Sequence, residues 1–134
     1  MAANAESPAL QADVSSWSSV VTTGNTLRDG TGTITDIFTS PSDGAFVYQI
    51  EFAPTGDNNP TVARIFYYNG SAWKYWRTVE LPATNSDPLT PDSLVVVPIH
   101  KKIAASRKLG FTITQSVGGG WQAGAIADGY TTVL

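Results

Sequence analysis

The sequence predicts an all-β domain, an antiparallel sandwich of about eight strands. Three observations predict it. From Trp17 onward, short runs rich in β-branched and aromatic residues alternate with Gly, Pro, Asn and Asp clusters at intervals of about ten residues. Residues 61–81, TVARIFYYNGSAWKYWRTVEL, place two such runs around Asn69-Gly70, a dipeptide that accepts the positive φ angles of a tight hairpin turn. No stretch shows a helical period of useful length.

Taken in order, residues 1–13 are small and polar with one proline and are expected to form an extended N-terminal arm. Residues 14–134 are expected to form a single sandwich domain, since a chain of 134 residues buries enough surface for one core without disulfide or metal. A first strand is expected over 17–23. Asp29-Gly30-Thr31-Gly32 turns into a strand over 33–39, and residues 40–44 make the next corner. Residues 45–53 alternate, with Phe46, Tyr48, Ile50 and Phe52 predicted on one side and Gln49 and Glu51 on the other.

Five of the fourteen aromatic residues fall between Tyr67 and Trp76 of the 61–81 hairpin. Strict alternation puts Val62, Arg64, Phe66, Tyr68, Trp73, Tyr75, Arg77, Val79 and Leu81 on one face. It puts Ala63, Ile65, Tyr67, Lys74, Trp76 and Thr78 on the other. Two aromatic faces exceed what one core needs. Residues 82–93 form a long connection with three prolines, of the kind that crosses between sheets in Greek-key topologies and makes the sandwich jelly-roll-like. Residues 94–99 are apolar on both alternations and predict a strand covered on both sides, although Pro98 keeps its end off a central ladder. Residues 101–109 are expected to be a short helix or loop, 111–117 a strand, 118–120 a turn, and 121–127 a last strand closed by Asp128-Gly129-Tyr130.

Composition narrows the functional classes. With no cysteine there is no thiol chemistry and no thiolate metal site. A net charge of −3 argues against general nucleic-acid binding, and no run of apolar residues reaches the length of a membrane span. The N-terminus lacks the basic start and apolar core of a signal peptide, which predicts folding in a cytoplasm. His100 is the one histidine, and no carboxylate near it in sequence would orient it as a base. Most carboxylates sit in turns, where local hydrogen bonding explains them. Asp57-Asn58-Asn59 lacks the ligand spacing of an EF-hand. No catalytic, cofactor-binding or metal-binding residue is therefore assigned.

Binding surfaces remain. Charged residues make up only 14% of the chain, which suits a protein packed against others. Interfaces enrich Trp, Tyr and Arg, so Arg64, Trp73, Tyr75, Trp76 and Arg77 are the candidate contact residues. Lys101, Lys102, Arg107 and Lys108 form a basic window that would meet an acidic patch on a partner.

The order of Asn25, Asp29-Gly30-Thr31-Gly32, Phe38-Thr39, Asp43-Gly44, Ala63-Arg64-Ile65-Phe66, Asn69-Gly70 and Glu80-Leu81-Pro82 resembles that in small β-sandwich virion proteins of tailed bacteriophages. Leu109-Gly110 and Asp128-Gly129-Tyr130 extend the likeness. The resemblance implies a non-enzymatic structural component, a capsid decoration (cement) protein located in the virion and assembled in the host cytoplasm. It implies self-association as a trimer and contact with the major capsid protein or other virion proteins. It implies no enzyme and no catalytic residues; no cofactor, nucleic-acid or membrane partner is expected. The alternatives are a carbohydrate-binding module using Trp73, Tyr75 and Trp76, or a tail or head-fibre component.

Overall fold

The computed structural model describes residues 8–89 and 94–132. Nine strands form two antiparallel sheets, with no helix among the described residues. They are β1 (Pro8–Asp13), β2 (Ser16–Trp17), β3 (Thr35–Thr39), β4 (Ala45–Pro54), β5 (Thr61–Tyr68), β6 (Trp73–Leu81), β7 (Val95–Ile103), β8 (Lys108–Ile113) and β9 (Trp121–Thr132). In the first sheet the order is β1, β9, β4, β7, with β2 following β1 along the same edge of β9. In the second it is β3, β8, β5, β6. Apart from the β5–β6 hairpin and the β1–β2 pair, every connection steps from one sheet to the other. The antiparallel sandwich predicted from the spacing of turns is thus present.

The core lies between the sheets. Ala45, Val47, Ile50, Phe52 and Trp121 project from the first, and Ile37, Phe38, Ile65, Leu81 and Phe111 from the second, all at most 2% exposed. Phe52 and Phe111 meet edge to face across the layers, ring centroids 5.4 Å apart. Opposite these bulky groups β9 supplies Ala123, Ala125 and Ala127, whose small size lets two twisted sheets approach.

Bulges decide which side chains reach that core. In β4 the register shifts between Val47 and Gln49, so Tyr48 is the extra residue. Val47 then faces inward with Ile50 and Phe52, while Phe46 and Tyr48 are only half-buried and pair edge to face on the outside. The expected common face for Phe46, Tyr48, Ile50 and Phe52 is corrected accordingly. In the hairpin, Ile65 pairs with Arg77 but Phe66 with Tyr75, which makes Trp76 the extra residue. Val79, Leu81 and Arg77 therefore share the face of Ala63 and Ile65, and Thr78 moves outward opposite Arg64. Strict alternation had assigned these four to the opposite faces.

Other boundaries differ as well. Of the segment 1–13, residues 8–13 lie along β9 as β1, and residues 1–7 fall outside the described residues. The strand expected over 17–23 reduces to Ser16–Trp17 and a single bridge from Val21 to Trp121. β7 is an edge strand, with Leu94 and Val96 exposed, and is not covered on both sides as its apolar sequence suggested. No helix forms over 101–109; β7 runs to Ile103 and β8 starts at Lys108, joined by a tight turn with Ser106 at φ 62°. β9 continues through Asp128-Gly129-Tyr130 instead of ending there.

Candidate functional site

Three surfaces are candidates for contact, and the first two hold the aromatic residues singled out in the hairpin. The first is the outer face of the β3–β8–β5–β6 sheet. Residues 24–34 cross it as a strap. Arg64 Nη1 donates to the Thr26 carbonyl at 2.7 Å, and the Arg28 guanidinium lies 5.8 Å from the centre of the Tyr75 ring. Gly30, at φ 85°, sits so close to Trp73 that a Cβ would come within 2.2 Å of its carbonyl oxygen. Asn25 holds the strap's own turn by donating to the carbonyls of Thr31 and Thr33. Beneath lie Phe66, fully buried though it points away from the core, and Thr112, 2% exposed. The second aromatic face of the hairpin is thus largely covered by the chain itself. Of the proposed contact residues there, Arg64 and Trp73 are half-buried and Tyr75 is 40% exposed.

The second surface is a groove of about 310 Å³ between the edges of β6 and β7, lined by Tyr67, Lys74, Tyr75, Trp76 and Lys101. The bulge at Trp76 creates it, turning the indole inward against Tyr67, with ring centroids 6.4 Å apart. Arg77 closes one end. Its guanidinium stacks over Trp76 at 4.6 Å and its Nη1 donates to the Pro98 carbonyl on β7 at 2.9 Å. Trp73 and Trp76 lie on opposite faces of β6, so Trp73, Tyr75 and Trp76 do not make one flat platform.

The third is the outer face of the β1–β9–β4–β7 sheet, which sequence reasoning missed. Register rows run from Val96 through Glu51 and Gly124 to Trp17, and from Pro98 through Gln49 to Ile126. Trp17 lies on the bare backbone of Gly124, where a Cβ would meet the ring at 2.3 Å. Glu51 is the one charge in these rows, and the Gln49 amide donates to its carboxylate. Trp17 is 47% exposed, Leu94 53% and Val96 47%. The signal in the sequence was the pairing of an apolar LVVVP run with a glycine-bearing strand, but only the register shows that they share a face.

The basic window is dispersed. Lys108 pairs with Asp36 at 3.7 Å and lies over Tyr68, Lys102 lies over Tyr130, and Arg107 reaches the Asn69-Gly70 turn, while Lys101 lines the groove. His100 is exposed at φ 49°, 6.5 Å from the Phe46 ring. The Tyr48 hydroxyl donates to Asp128 at 2.9 Å, a bond that raises the phenol's pKa because ionisation would set two anions against each other. Asp57-Asn58-Asn59 is a structural knot: buried Asn58 binds the backbones of Gly56, Gly119 and Gly120 and the Thr84 hydroxyl, so its donors and acceptor are all engaged. Among the described residues no group of three or more His, Asp or Glu side chains is placed to hold a metal. No protein-family model and no curated protein matches the chain in sequence.

Proposed function

We propose that the chain is a non-enzymatic structural protein of a bacteriophage virion, a capsid decoration protein that self-associates as a trimer and clamps neighbouring shell subunits. The observation that carries the reading is the outer face of the β1–β9–β4–β7 sheet. A solvated antiparallel sheet normally turns a polar face to water. Here two rows of that face hold a single charge, already satisfied by Gln49, between exposed Trp17 and Val96. Such a face suits a subunit contact. The two four-strand orders, with β1 and β2 counted as one edge, also support reading the sandwich as a jelly roll of paired Greek keys. A cement protein works by differential binding, stabilising the shell state it prefers according to its affinity for that state.

Sedimentation velocity together with particle binding tests this. The wild type is expected to sediment as a trimer, to co-purify with particles and to raise their temperature of disruption. Val96→Lys, which puts a charge on the β7 edge of the face, is expected to sediment as a folded monomer. A wild-type monomer that neither co-purifies with particles nor stabilises them overturns the proposal.

A further inference from the structure

We propose that the groove between β6 and β7 binds an acidic saccharide, a sugar chain whose rings carry carboxylates. This inference does not depend on the capsid reading. It starts from where the protein's cations go. Arg28, Arg77, Lys102 and Lys108 each lie over an aromatic ring, Arg64 holds the Thr26 carbonyl, and Lys108 also pairs with Asp36. Lys74, Lys101 and Arg107 have no carboxylate, carbonyl or ring partner for their side chains among the described residues; Arg107 lies at the Asn69-Gly70 turn, while Lys74 and Lys101 both line this one groove. They approach it from different sheets, Lys74 from β6 and Lys101 from β7.

The remaining lining residues are Tyr67, Tyr75 and Trp76; the rings of Tyr67 and Trp76 pack against each other, while the Tyr75 ring lies on the outer face with Phe66. No carboxylate or amide lines the groove, so its charged groups only donate, and the ligand must supply acceptors. Aromatic walls add apolar surface against which a sugar ring packs, and a cavity of about 310 Å³ suits a ligand of a ring or two. An acidic peptide carries similar charge, but an extended chain laid in the groove between β6 and β7 would meet the Arg77 side chain where it crosses to the Pro98 carbonyl. The bridge bounds the groove at one end. Attraction between exposed lysines and carboxylates is screened by salt, so binding falls as ionic strength rises.

The test is isothermal titration of the full chain with trigalacturonate, maltotriose and a glutamate hexapeptide, with tryptophan fluorescence followed in parallel. Trigalacturonate is expected to bind saturably, to perturb the emission, and to weaken with salt. Maltotriose is expected to bind at least about tenfold more weakly. The double variant Lys74→Gln/Lys101→Gln, altered only at exposed side chains, is expected to unfold like the wild type and to lose at least about tenfold in trigalacturonate affinity. The proposal is overturned if trigalacturonate does not bind, if maltotriose binds equally well, or if the double variant binds undiminished. Tighter binding of the glutamate peptide than of trigalacturonate also overturns it and assigns the groove to an acidic polypeptide.

Discussion

The side-chain amide of Asn58 holds both backbone polar groups of Gly120: Oδ1 accepts the Gly120 N–H at 2.8 Å and Nδ2 donates to the Gly120 carbonyl at 3.0 Å. Further bonds reach Gly56, Gly119 and Thr84, so one buried amide ties the β4–β5, β6–β7 and β8–β9 connections at one end of the sandwich. Replacing it leaves several buried backbone groups without partners, each costing about 1–3 kcal/mol. Asn58→Ala is expected to lower stability by about 3 kcal/mol or more, read as a shift in the urea midpoint. A loss below about 1 kcal/mol would show that water takes over these bonds.

The strap makes a second prediction. Phe66 is buried outside the core, beneath residues 24–34, so Phe66→Ala should cost about 3–4 kcal/mol, as a core phenylalanine does. Gly30→Ala should cost about 1–3 kcal/mol, from positive φ and from the collision with the Trp73 carbonyl. Hydrogen exchange should then show faster exchange in residues 24–34, while the amides between β4 and β9 remain protected. Equal loss of protection in both regions would mean that strap and core unfold as one unit.

Acid provides the third. The Ser86 backbone N–H bonds the Asp57 carboxylate and holds its pKa below the ordinary 3.8; the Thr31 side chain and backbone do the same for Asp29. A carboxylate with a depressed folded-state pKa adds stability that is fully present above its unfolded value and is lost as pH falls through the folded one. Stability should therefore decline as pH drops below about 3.8. In Asp29→Asn/Asp57→Asn that decline should be shallower than in the wild type. Parallel profiles from urea titrations across this range would refute the assignment.

What the sequence by itself determined is the part governed by local periodicity and turn chemistry. Alternating β-branched and aromatic runs between Gly, Pro and Asx turns were sufficient for an all-β antiparallel sandwich, for the hairpin at Asn69-Gly70, and for β3 and β4 within two residues. Carboxylates in turns were legible for the same reason: Asp29 and Asp87 accept from amides two residues ahead. The tertiary structure alone decided the faces. A single extra residue reverses every side chain beyond it, and the bulges at Tyr48 and Trp76 leave no mark in a pattern of alternating residues. They moved Arg77, Val79 and Leu81 to the inner face and opened the groove. Contacts between distant segments were equally hidden, because a strap over Phe66 or Trp17 lying on Gly124 depends on chain crossings of long range. The apolar run at 94–99 illustrates the limit: hydrophobicity shows that a strand seeks cover, and only its place at the edge of a sheet shows that the chain leaves Leu94 and Val96 exposed.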